Sequence, residues 1–333
     1  RTTEGYTVEI DDNSNWGSVG STTAYGEAQY SVLVHTTTDS SSVSDGAIDF
    51  RVIASMDEGN LVSDIASGYS LDNLHPTTPS DVMVSSSDNN INIAWDYEHD
   101  IDFSYHRINQ LGSPLYTIDN EHSISLEANY NENYMQSVDI HDNMSEKSSY
   151  VGAHSLDVGA NLIGVCVLPE DNSIGNVVSG PLEGIIGEGV AGSNNPVLGW
   201  VGSLTDIYPS DGYWLKASEE IVHLTVGTKH ETESFNLDSG ANLISYCCAN
   251  ELLLGDIDSD CIEGIIGEGV AASWIGDIPI GSLTKLSAGK GYWVKVEDEC
   301  ALDFECSEYV DDLSRLDEPG IIKDYIQSTE QAF

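Results

Sequence analysis

The sequence predicts a mainly β, multi-domain protein: sandwich modules first, then two homologous β-rich units with room for a little helix (possibly α+β). Three observations predict it. Apolar and polar residues alternate over short runs, as they do along half-buried strands. Clusters of Gly, Ser, Asp, Asn and Pro break those runs at short intervals. Whole segments return almost letter for letter about 80 residues later, the mark of a duplicated structural unit. At 333 residues the chain has room for several domains of roughly 100–150 residues each.

Residues 1–73 read as a partial sandwich. Tyr30, Val32 and Val34 would share one strand face, and Ile48, Phe50, Val52 and Ala54 another, with Asp49 and Arg51 turned outward. The turn clusters "DDNSN", "TTTDSSSVSDG" and "DEGN" leave about four or five strands, fewer than a complete seven-stranded immunoglobulin-like sandwich needs. "NLHPTTPSDV" (73–82) is a linker by composition, since each proline favours extended geometry before it.

A second module spans 74–155. Its strands read "DVMVSSS", "NINIAWDYE", "FSYHRINQ", "YTID", "SISLEA", "NYMQSVDIHDN" and "KSSYVGAHS". The opening prolines, Trp95 in "INIAWD", the aromatic strand "FSYHRI" and the late strand "YMQSVDIHDNMSEKS" resemble a fibronectin type III domain over about 76–155. The spacing before Tyr134 departs from that pattern, and no Arg-Gly-Asp occurs. The resemblance implies a spacer or binding module and carries no reaction with it.

From 156 onward the chain is a tandem repeat, unit 1 at 156–226 and unit 2 at 237–306. "LDVGANLIGVCV" (156–167) returns as "LDSGANLISYCC" (237–248), "EGIIGEGVA" (183–191) as the same nine letters at 263–271, and "GSLTDIYPSDGYWLK" (202–216) as "GSLTKLSAGKGYWVK" (281–295). Each copy reads as an apolar strand, a variable stretch, a Gly-rich segment, a turn and an aromatic strand. A "G-x-N-L-I" opening and a "G-Y-W-V-K" close resemble tandem modules of large secreted or cell-surface proteins of marine or Bacteroidetes-like bacteria, with no activity implied. Residues 307–333 form a tail or begin a further module.

The repeated Gly-x-x-Gly-x-Gly is not a phosphate loop. Val-Ala follows it where a P-loop needs Lys-Ser/Thr, and Glu188 and Glu268 inside it would repel an anion. Glycines at turns, where a side chain will not fit, are the expected cause. The paired aromatics Tyr213–Trp214 and Tyr292–Trp293 are the candidate ligand-binding residues, because neighbours on a strand face opposite ways and one of each pair is free to stack on a sugar ring or on another protein. Calcium is the candidate cofactor. "DIDSD" offers Asp256, Asp258 and Asp260 at alternate positions, and "IDDNSN" (10–15) and "DIHDN" (139–143) are further acidic turns.

Six cysteines, none in a C-x-x-C, point to disulfides rather than zinc or redox chemistry. Cys247, Cys248, Cys261, Cys300 and Cys306 are the candidates besides Cys166, with one of the vicinal pair expected to meet Cys261. On a straight strand Cys300 and Cys306 would sit about 20 Å apart, too far to bond each other.

Fifty-six Asp and Glu face eleven Lys and Arg, a net charge of −45. That field excludes nucleic acid and anionic membranes as partners and suggests a saline or calcium-containing exterior. No apolar run approaches a membrane span, so no membrane insertion is expected, and a processed or partial segment of a larger secreted protein is. G-x-S-x-G, H-E-x-x-H and related signatures are absent from the sequence, so no enzyme is expected. The expectation is a non-catalytic, extracellular or cell-surface structural or adhesive segment. It would self-associate, even into a filament or surface layer, or bind other surface proteins. The alternative is a polysaccharide-binding accessory region of a secreted hydrolase.

Overall fold

The computed structural model describes residues 4–12, 15–40, 44–87, 90–110, 113–126, 129–257 and 261–306. Strand accounts for 59% and helix for 2%, so the repeats are β units rather than α+β. The described residues form two compact units: those within 4–76 with 101–103 and 138–144, and the remaining described residues. Among the described residues no helix is long and apolar enough to cross a membrane.

In the first unit, Gly5–Asp12 pairs antiparallel with Asn15–Thr23 on one side and Ile48–Met56 on the other, and Gly59–Val62 and Ala66–Gly68 complete the sheet. Arg51 reaches across to Glu9 at 2.6 Å and lies over the Trp16 ring. The strand expected around Tyr30, Val32 and Val34 is not a strand. The segment is extended and its side chains do alternate, with Leu33 turned to solvent and Val32 and Val34 lying against Gly20, but no ladder forms. Alternation reports which face is covered and not whether the backbone has a partner.

The second unit begins with a two-sheet sandwich. Ser80–Ser87, Asn90–Asp96 and Glu121–Ser125 form one sheet; Ser113–Thr117, Phe103–Gln110, Tyr130–Asp139 and Tyr150–Leu156 form the other, in that spatial order. Three strands against four is the arrangement a fibronectin-type module requires. Ile91, Ile93 and Trp95 alternate into the interior, where Ile108, Ile124 and Met135 are also buried, and Trp95 meets His106 edge-on. Burial lowers the His106 pKa to about 4.

The larger sheet does not stop there. Tyr150–Leu156 also pairs with Ile221–Lys229 across seven residues, from Tyr150↔Gly227 to Leu156↔Ile221, and Val167–Leu168 caps that strand. Sandwich and repeat therefore share a strand, and it runs through the 155/156 boundary that the sequence suggests. Leu156 ends it in the core of the first repeat beside Ile163, Leu182 and Leu215. Its counterpart Leu237 occupies the same place in the core of the second repeat with Ile244, Ile262 and Val294.

Both repeats fold alike. Copy 1 orders its strands Gly199–Gly202, Ala191–Asn195, Leu182–Ile186, Gly212–Ala217, Gly159–Gly164; copy 2 orders Ile278–Gly281, Val270–Ile275, Ile262–Gly267, Lys290–Val296, Gly240–Tyr246. The ten strands join into one sheet through Ile163↔Lys290, and Asp211↔Ile244 is its mirror contact. All six cysteines are bonded, as Cys166–Cys247, Cys248–Cys306 and Cys261–Cys300. Cys261 thus pairs with Cys300 and not with a vicinal cysteine: Cys247 is taken by Cys166 and Cys248 by Cys306.

Candidate functional site

The glycine-rich string is a hairpin. Leu182–Ile186 and Ile262–Gly267 run up to a two-residue turn, Glu-Gly in each copy, with Gly189 and Gly269 at φ +69° and +70°. Only glycine adopts that conformation cheaply, which explains the last glycine of the motif. The turn places a glutamate at its tip, and each glutamate crosses to the other repeat. Glu188 accepts the backbone N–H of Leu243 at 2.7 Å, and Glu268 accepts that of Leu162 at 3.2 Å.

Those contacts are one pair of several related by a pseudo-two-fold axis. Gly164 N–H donates to Gly289 and Ser245 N–H to Ser210, both at 2.9 Å. Backbones approach so closely that a Cβ on Gly212 would stand 2.6 Å from the Ile244 carbonyl, and one on Gly291 would stand 2.8 Å from that of Ile163. Near the axis the equivalent residues Cys166 and Cys247 bond to each other and pack with Tyr130. His154, from the shared strand, donates Nε2–H between the carbonyls of Gly164 (3.0 Å) and Gly289 (3.1 Å), one in each repeat. Burial, with the nearby His223, drives the His154 pKa down to about 3.

The aromatic pairs divide as strand geometry demands. Tyr213 and Tyr292 point inward, and their hydroxyl oxygens accept the backbone N–H groups of Tyr208 and Ser287. Burial raises both phenol pKa values, that of Tyr292 to about 12. Trp214 and Trp293 are half-buried on the opposite face. Each indole is flanked by an exposed isoleucine, Ile186 or Ile266, and by a lysine–glutamate pair, Lys216–Glu183 or Lys295–Glu263, both at 2.5 Å. Small residues lie beside them: Gly184, Ala191 and Ser193 in copy 1, Gly264, Ala271 and Ser273 in copy 2. In copy 1 this arrangement lines an open groove of about 890 Å³.

A second cluster lies in the first unit. Oxygen or nitrogen atoms of Asp72, Asp102, Asp139 and His141 all fall within 4.8 Å of one another. The "DIHDN" turn builds it: the Asp139 carboxylate accepts the backbone N–H groups of His141 and Asn143 and the Asn143 amide, at 2.8–2.9 Å. His141 Nδ1 stands 2.8 Å from Asp72, in contact though out of hydrogen-bond alignment. Three carboxylates and an imidazole offer hard oxygen donors and one nitrogen, a set suited to a divalent cation. Of the expected calcium ligands, Asp256 ends a 3-10 turn exposed to solvent, and Asp258 and Asp260 lie outside the described residues, as do Asn13 and Ser14 of "IDDNSN". Sequence reasoning found the "DIHDN" turn but not Asp72 or Asp102, which no spacing rule connects to it.

No protein-family model matches the chain, and no curated protein does. Solved structures similar to it include chicken CNTN1 FN1–FN3 domains, at 15% identity over 44% of this chain and 54% of that one, with a TM-score of 0.23. This chain thus spans about half the length of that segment. A Ca2+-stabilised adhesin with which an Antarctic bacterium binds ice is 13% identical over 88% of this chain and 82% of its own, TM-score 0.20. A Bacteroides ovatus mixed-linkage glucan-utilisation protein solved with a heptasaccharide is 11% identical over 91% and 90%, TM-score 0.16.

Proposed function

We propose that this chain is a non-catalytic structural or adhesive segment of an extracellular or cell-surface protein, built to hold modules in a fixed relation. The observation that supports it is the fusion of sandwich and repeats. They share one strand, a disulfide joins equivalent positions of the two copies, and the buried His154 and both motif glutamates are committed to backbone groups of the joint. Three disulfides fit an oxidising exterior.

Self-association would use the sheet ends. Gly199–Gly202 and Ile278–Gly281 are its edge strands, and Val197, Leu198, Ile275, Ile278 and Ile280 at those hairpins are exposed; neither strand carries a lysine, and Pro279 removes one pairing donor from the second. Electron microscopy and light scattering of the full chain in saline buffer test this. Assemblies that disappear in a V201K/I280K variant are expected; a wild-type chain that stays monomeric at every concentration removes self-association from the reading.

Calcium at Asp72, Asp102, Asp139 and His141 would stabilise the first unit by relieving repulsion among three carboxylates. The melting temperature is expected to rise with millimolar CaCl2, and less so in D102N, which removes a donor without touching the Asp139 hydrogen bonds. Equal responses in the two proteins would exclude the cluster as the site.

A second reading, binding of polysaccharide, is favoured by the groove beside Trp214, where an aromatic face, small residues and a charged pair meet.

A further inference from the structure

Trp214 and Trp293 belong to two faces that meet. Leu162 pairs with Trp214 across neighbouring strands and so shares its face, and Leu162 is fully buried with its Cδ1 2.9 Å from where a Cβ on Gly291 would stand. Gly291 lies two residues before Trp293 on one strand and so shares the Trp293 face. The reciprocal contact is Leu243, paired with Trp293, against Gly212, two residues before Trp214. The two tryptophan-bearing faces therefore adjoin along a leucine seam, each indole one strand away from it.

We propose that the two faces form one bivalent site for an uncharged polysaccharide, a single glycan chain lying across the seam and stacking a sugar ring on each indole. The proposal rests on the polysaccharide reading above. The chemistry of the surface selects the ligand. An indole and an isoleucine match the C–H face of a pyranose, while Lys216, Glu183, Lys295, Glu263 and the adjacent serines can exchange hydrogen bonds with its hydroxyls. A net charge of −45 repels sulfated or uronic polymers, which leaves neutral chains. Two copies of one constellation suit a partner that itself repeats, and tethering the second contact through the first raises affinity by roughly 10²–10⁴ over either alone.

The test uses the full chain, soluble neutral polysaccharides (a mixed-linkage β-glucan, a galactomannan and a dextran), short oligosaccharides of each, and alginate as the polyanion. Calorimetry and affinity electrophoresis report stoichiometry and affinity, and circular dichroism checks that each variant is folded. Expected are two short oligosaccharides bound per chain, one in W214A or W293A, none in the double variant, and a tenfold or greater loss of polymer affinity in either single variant. W214F, which keeps a stacking ring, retains part of the binding. If single variants halve the stoichiometry but leave polymer affinity unchanged, the faces act separately: bivalency is overturned and the polysaccharide reading stands. If no neutral polymer binds, both fail. Binding that survives the double variant, or that favours alginate, overturns this site.

Discussion

Glu188 and Glu268 show how much one side chain can hold. Each accepts a backbone N–H from a strand in the other repeat, separated from it in sequence by 55 and 106 residues. Replacing either by alanine leaves a backbone donor without its partner, at a cost of about 1–3 kcal/mol. We expect E188A and E268A each to lower the urea midpoint accordingly, with E188Q and E268Q milder because an amide oxygen still accepts; midpoints unchanged from wild type would mean the glutamates clamp nothing. Part of this was legible. A carboxylate inside a glycine-rich string argues against a phosphate and for scaffolding, with its glycines expected at turns or bulges. The partner was not, since nothing local in "EGIIGEGVA" points to Leu162 or Leu243. Tyr213 and Trp214 were legible as one inward and one outward aromatic, but which was which depended on the phenol finding the Tyr208 N–H in the interior.

Among the elements, the Tyr150–Leu156 strand serves two modules, and His154 makes it sensitive to acid. His154 and His223 are both fully buried with pKa values pushed below the usual imidazole range by loss of solvent, His154 to about 3, and Lys290 adds further repulsion at His154. Between pH 6.5 and about 3 the unfolded chain binds a proton at His154 that the folded chain refuses. The stability is therefore complete above pH 6.5 and is lost progressively as pH falls through that window. We expect the melting temperature to drop over this range, and to drop less in H154Q, whose amide can still donate toward Gly164 and Gly289; a flat profile from pH 7 to 4 would contradict the buried neutral imidazole. Alternation and turn signals located the sandwich strands because each buries one face. They misled at Tyr30–Val34, where the covered face is present and the hydrogen-bonded neighbour is not. Nor could they show that one strand closes the sandwich and opens the repeat, because pairing partners are set by tertiary contacts.

At the level of the whole chain, charge is the strongest lever. Fifty-six acids against eleven basic residues repel one another in the folded state, and salt at about 1 M shortens the Debye length to roughly 3 Å. The melting temperature should rise by several degrees between low salt and 1 M NaCl, and a salt-independent transition would show that the acids are already neutralised by their surroundings. The duplication was plain in the letters, yet its symmetry was not. Six cysteines permit fifteen connectivities, and only folding selects the bridge between equivalent positions. That bridge has an ancestral implication. Reciprocal contacts about a dyad are how two identical subunits associate, so a lone copy carrying a single cysteine at this place would meet its twin as a covalent homodimer. Within this polypeptide the two repeats stand to each other as such subunits would, their self-complementary surface already satisfied inside one molecule, so that any growth into larger structures must proceed by some other face.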